Sequence, residues 1–120
     1  MPPSSLHQRI CGLAEQRLRD DAYTIVGPSP IRGFQPDVQG RRGRAGHYSH
    51  VALVEVEAIS KELWGNHTEG QLRRMASYVE TSDGMHKLVV LAVPTDLRSE
   101  AVALKLSMGF RALKIWAFPS

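Results

Sequence analysis

The chain reads as an α/β protein with a mixed central sheet flanked by helices, in the order αβββαβαβ. Three observations predict this. The first half offers three strand-like segments with no helix between them, which hairpins join in antiparallel fashion. The second half alternates strand and helix, and such crossovers return the chain to a parallel sheet. "KLVVLAVP" (87–94) is a continuous apolar run, the kind buried on both faces in a parallel sheet. At 120 residues the chain makes one domain, large enough for a core without staples. No linker or internal repeat divides it.

Residues 6–20 read as a helix, with Leu6, Ile10, Leu13, Ala14 and Leu18 at three- and four-residue spacing and Ser4 or Ser5 to cap it. "YTIVG" (23–27) is a short strand closed by the turn-rich "GPSPIRG", and "FQPDV" (34–38) is a second strand. "QGRRGRAGHYSH" is nearly without apolar residues and is expected to be an exposed loop or hairpin tip. "VALVEVEA" (51–58) is the third and most buried strand. A helix follows over roughly 67–82, with Leu72, Met75, Ala76 and Val79 on one face, ended by Asp83-Gly84. After the strand at 87–94, "TDLRSEAVALKLSMG" (95–109) is a helix with an imperfect capping box, closed by Gly109. "FRALKIWAF" (110–118) is the last strand.

Composition narrows the function classes. The single cysteine, Cys11, has no partner for an internal disulfide and belongs to no Cys/His cluster, so a reducing, cytoplasmic setting is expected. No run approaches the ~20 apolar residues of a membrane span, and no membrane partner is expected. The net charge of +3 is too small to demand nucleic acid by itself, but Arg41, Arg42 and Arg44 fall within four residues. No P-loop, HExxH, GxSxG or dinucleotide fingerprint is present.

The most informative stretch is "HVALVEVEAIS" (50–60), where an apolar strand carries Glu55 and Glu57. Residues two apart in a strand share a face and lie about 6–7 Å apart, so both acids point one way and Val54 and Val56 the other. The preceding strand supplies Asp37 after Pro36, and a hairpin would bring it alongside the start of the pair. Three clustered carboxylates repel one another unless a cation sits among them, and hard oxygen ligands suit Mg²⁺ or Mn²⁺. The plainer alternative is a half-exposed strand with Leu53, Glu55 and Glu57 on a solvated face.

Pro36-Asp37, an 18-residue step and then Glu55-Val56-Glu57 resembles the motif of the PD-(D/E)xK nucleases, whose restriction-endonuclease-like core has the same αβββαβ order. The resemblance implies that Asp37 and Glu55 hold the metal, with Glu57 as base or ligand to a second ion. It implies an assisting acid on the first helix, for which Glu15 is the candidate. It also implies a Gln on the helix after the motif strand, matched by Gln71. That family usually has Lys where this chain has Glu57, although some restriction enzymes carry Glu there and still cut. Lys61, four residues on, is the alternative cation. The implied reaction is metal-assisted hydrolysis of nucleic acid, DNA before RNA. Arg41, Arg42 and Arg44 would contact phosphates, and a homodimer would cut both strands.

Two further classes stand beside this one. A non-catalytic relative would keep the sheet and basic loop as a nucleic-acid-binding or protein-interaction module. "EAVALKLSMGF" is also similar to the late helix of the GNAT acetyltransferases, but "QGRRGRAG" misses the register of their pyrophosphate loop, which lies between a strand and a helix. The remaining candidates have simpler expectations. His47 and His50 are exposed or satisfied histidines, Trp64 and Trp116 pack or cover an interface, and Cys11 is inert core. His67, one turn before Gln71, is surface or faces the carboxylates.

Overall fold

The structure, a computed structural model, describes residues 4–27, 29–31, 33–44 and 46–120. The first helix, α1, is Ser5–Asp20, with Ser4 as its cap accepting from the His7 N–H at 3.1 Å. The strands β1 (Thr24–Val26), β2 (Val38–Arg44) and β3 (His47–Val56) form an antiparallel meander. A one-turn helix, α2 (Ser60–Leu63), and α3 (Asn66–Val79) then lead to β4 (His86–Pro94). A 3₁₀ turn at Thr95–Leu97 opens α4 (Arg98–Met108), which returns the chain to β5 (Lys114–Phe118). The five strands lie in sequence order, with β4 parallel to β3 and β5 parallel to β4. The expected mixed sheet with flanking helices is what forms. Among the described residues no helix is long and apolar enough to cross a membrane.

The sheet has a core on each face. Ala52, Val54 and Val56 of β3 pack with Ile10, Ala14 and Leu18 of α1. Val51 and Leu53 point the other way, against Leu72 and Met75 of α3 and Ala101 and Leu104 of α4. Period-two alternation along β3 thus decides which helix layer each side chain meets. It also puts Glu55 and Glu57 on the α3 side.

Several boundaries differ from expectation. The second strand is not 34–38 but Val38–Arg44, and the supposed loop at 39–50 is mostly paired backbone, from Val38 opposite Val54 to Arg44 opposite His47. Pro36 has no N–H to give a ladder, and Ile31 and Phe34 instead bridge each other. Pairing with β3 from His47 to Val54 overrides the weak strand propensity of a Gly- and Arg-rich segment. Pro28 and Arg32 of the predicted turn and Ala45 of the predicted tip lie outside the described residues. The helix expected over 67–82 begins at Asn66 and stops at Val79. There the Thr81 hydroxyl donates to the Tyr78 carbonyl at 2.7 Å and the Glu80 N–H turns back to Ser77. The helix expected over 95–109 has no side-chain cap at its start, but Gly109 ends it at φ 65°, as predicted. The last strand begins at Lys114, because Phe110–Leu113 is a turn closed by the Leu113 N–H on the Phe110 carbonyl.

The β2–β3 hairpin depends on Gly43, which sits at the register shift after Arg42 with φ 139°. A Cβ there would lie 2.8 Å from the His47 carbonyl oxygen and 2.8 Å from the Ser49 nitrogen, both backbone atoms that cannot turn aside. Gly43→Ala is expected to cost about 3 kcal/mol of stability. Urea denaturation measures this directly, and a cost below ~1 kcal/mol would show that the hairpin adjusts freely.

Candidate functional site

β3 is the central strand of the sheet, antiparallel to β2 and parallel to β4. In open α/β sheets ligands collect in the crevice beyond the carboxyl ends of the strands. A cleft of about 660 Å³ opens there, within the size range of small-ligand sites. Asp37, Glu55 and Glu57 line it, with the start of α1 (Ser4 and His7) on one side and the α2–α3 junction on the other.

Asp37 immediately precedes β2, and the pairing of Val38 with Val54 sets it beside the carboxyl end of β3. Its Oδ2 accepts from the Val56 N–H at 2.8 Å, which ties the carboxylate to the strand carrying the two glutamates. His7 approaches the same oxygen, with Nε2 3.6 Å away. Its other nitrogen, Nδ1, lies 3.7 Å from the Cys11 thiol. Burial pushes that thiol up to about 12, with the charges of Asp37, Glu15 and Glu55 adding to the effect, so Cys11 stays protonated.

The half-exposed reading of the strand does not hold, because Glu55 is only 2% exposed and Glu57 only 5%. Removal from water drives the Glu55 carboxyl well above the ordinary carboxylate range. Hydrogen bonding with Asp37, its charge and that of Glu57 push in the same direction, and the Gln71 amide counters part of the rise. Glu55 Oε2 is fully buried and has no hydrogen-bond partner among the described residues. Such atoms are rare enough to require an explanation. Burial also raises Glu57, to about 7, against the lowering effect of the Thr68 hydroxyl and with help from the charges of Asp37 and Glu62. Thr68 also donates to the Glu62 carbonyl at 2.8 Å, and its single hydrogen serves one acceptor at a time.

Gln71 sits behind this group, 5% exposed. Its Nε2 donates to the Gln35 carbonyl at 3.0 Å, which fixes the turn that presents Asp37. Lys61 lines the cleft, as does His67, one turn before Gln71. Glu15 does not line it and pairs instead with Arg19 at 3.6 Å. The arginines are also elsewhere. Arg42 is held by Asp21 at 3.1 Å, with its guanidinium 4.8 Å over the Tyr23 ring. β2 carries Arg44 roughly 20 Å from Asp37 at the usual rise per residue. They belong to the β2–β3 ribbon and not to the cleft.

The donor set suits a hard divalent cation. Mg²⁺ is commonly held by one or two carboxylates and keeps several waters, and Asp37 and Glu55 are the residues that could hold one here, Glu55 Oε2 having no partner among the described residues. Among the described residues no group of three or more His, Cys, Asp or Glu is already gathered at metal-holding distance. Sequence reasoning missed His7 and the α2–α3 break at Gly65. A histidine near a helix start carries no periodic signal, and a single Gly after Trp64 looks like an ordinary turn residue.

Comparison with protein-family models, with curated protein sequences and with solved structures finds no match to this chain.

Proposed function

We propose that this chain is a divalent-cation-dependent nuclease of restriction-endonuclease-like fold, hydrolysing phosphodiester bonds of nucleic acid, DNA before RNA. The observation that carries the reading is the buried Glu55 Oε2, unpartnered among the described residues, beside Asp37 at the carboxyl end of β3. Asp37 and Glu55 would hold Mg²⁺ or Mn²⁺, which supplies positive charge to the phosphate oxygens as negative charge develops on them. Glu57 stands where the resembled family has Lys, and a carboxyl raised to about 7 is a competent base near neutral pH. It would take the proton of the attacking water, leaving Lys61 to face the substrate anion. Gln71 positions Asp37 through the Gln35 carbonyl. One cleft serves one strand, so a homodimer would be needed to cut a duplex.

The second reading is a non-catalytic module on the same fold, favoured by the acid at position 57. Nothing favours the acetyltransferase alternative, whose pyrophosphate loop would lie between a strand and a helix, whereas Gln39–Arg44 is part of the strand β2 paired with β3. The deciding assay is cleavage of labelled DNA and RNA oligonucleotides with Mg²⁺ or Mn²⁺. Asp37→Asn is expected to lower the rate by about 10³-fold, and a chelator to abolish it. Oligonucleotide binding without cation-dependent cleavage would instead establish the second reading.

A further inference from the structure

We propose that the N-terminus of α3 is the phosphate seat of this cleft. The backbone amides of Asn66, His67 and Thr68, together with the Lys61 ammonium, take the oxygens of a phosphoryl group paired with a divalent cation at Asp37 and Glu55. The proposal rests on the nuclease reading above and adds to it the part of the chain that receives the substrate anion.

Two independent observations meet in the cleft. The first is the start of a fourteen-residue helix. Its cap, Gly65, is extended at φ −80° and ψ 163° and supplies no side-chain hydrogen bond. The first amides of a helix have no acceptor within it, and the helix dipole adds positive potential at that end. The acid of this first turn, Glu69, is turned to Arg73 at 2.6 Å and does not close the cap. Gly65, Asn66, His67 and Thr68 all border the cleft, as does Lys61 from α2. A helix start in this state suits a phosphate.

The second observation is the buried Glu55 Oε2 without a partner, in a residue bordering the same cleft. The two demands are opposite in sign. A lone anion at α3 would face the carboxylates of Glu55 and Glu57, and a lone cation at the carboxylates would face the positive end of α3. A cation–phosphate pair answers both, with each ion beside its own complement. This also reassigns the nucleic-acid contact. The β2 arginines are not among the residues that line the cleft, and the α2–α3 junction takes the role expected of them.

The test separates amide from side chain. Proline at the first helical position removes one N–H and preserves the helix, and Gly65 already has the extended backbone that a following proline requires. Asn66→Pro therefore deletes an amide donor, whereas Asn66→Ala deletes only the side chain. Inorganic phosphate is titrated with and without Mg²⁺, followed by ¹H–¹⁵N chemical shifts, with thermal melts confirming that each variant folds. The expected result is Mg²⁺-dependent phosphate binding that shifts the amides of residues 66–68. Asn66→Pro should weaken it about tenfold, the loss of one charge-assisted hydrogen bond, with Lys61→Gln similar and Asn66→Ala within about twofold. Equal affinity in Asn66→Pro and wild type, or equal losses in Asn66→Pro and Asn66→Ala, would overturn the seat. Mg²⁺ binding alone, with phosphate not following, overturns the seat and leaves the nuclease reading standing. Phosphate binding at α3 that ignores Mg²⁺ and survives Glu55→Ala upholds the anion seat and overturns the metal site.

Discussion

Glu55→Gln is expected to abolish Mg²⁺ and Mn²⁺ binding and, in chelator, to make the protein more stable at pH 8. The two effects have one cause. Glu55 is buried, its Oε2 lacks a partner, and Asp37 and Glu57 raise the cost of its charge. An acid whose folded pKa is raised contributes stability that is complete below the unfolded pKa and is lost as pH climbs towards the folded value. At pH 8 the unfolded chain gives up the proton easily and the folded one does not, which favours unfolding. A glutamine of the same shape has no proton to exchange and can donate to Asp37. The gain at pH 8 should reach about 2 kcal/mol and vanish near pH 4, where the unfolded glutamate is itself protonated. Cation affinity should fall by about 100-fold or more, beyond the effect of losing an outer-layer partner. Calorimetry and chemical denaturation at the two pH values decide it. A variant destabilised at both would mean that Glu55 is a structural residue whose carboxylate the fold requires.

Much of this site was legible in the sequence because it lies on one strand. The alternation of "VALVEVE" fixes Glu55 and Glu57 on one face from local geometry alone, and the hairpin that brings in Asp37 follows from the short segment between the two strands. The depth of burial was not legible, because it depends on α3 covering that face, and Gln71 and Thr68 reach it from some fifteen residues away. The arginines misled for the opposite reason. Arg41, Arg42 and Arg44 among glycines have the composition of a loop, and only β3 beside them, from His47 to Val54, recruits that backbone into a ladder. Once β2 is a strand, it carries the arginines away from the acids, and Asp21 and Tyr23 claim Arg42. The cleft's far wall required tertiary information, since the break between α2 and α3 matters only because β3 ends opposite it.

A second pH effect is expected from Glu57, and it should pull stability and activity in opposite directions. Its carboxyl rises from 4.5 to about 7 on folding, chiefly through loss of water. Below pH ~4.5 both states hold the proton and no stability is lost. Between there and pH ~7 the unfolded chain releases it first, and the metal-free protein should lose up to about 3 kcal/mol. A base must be deprotonated to act, so cleavage should rise through the same window with unit slope and level off above it. The fold favours the proton that the chemistry must remove. Mg²⁺ favours the ionised carboxylate, so adding it should move both curves to lower pH and restore stability at pH 8. His7 and His67 also border the cleft, so the assignment needs the variant. Glu57→Gln should remove about 3 kcal/mol of the stability lost between pH 5 and 8, leaving the part that Glu55 contributes, while also removing the rising limb of cleavage. If that stability is regained but the limb remains, Glu57 is a buried acid that the reaction does not use, and one of the cleft histidines becomes the base.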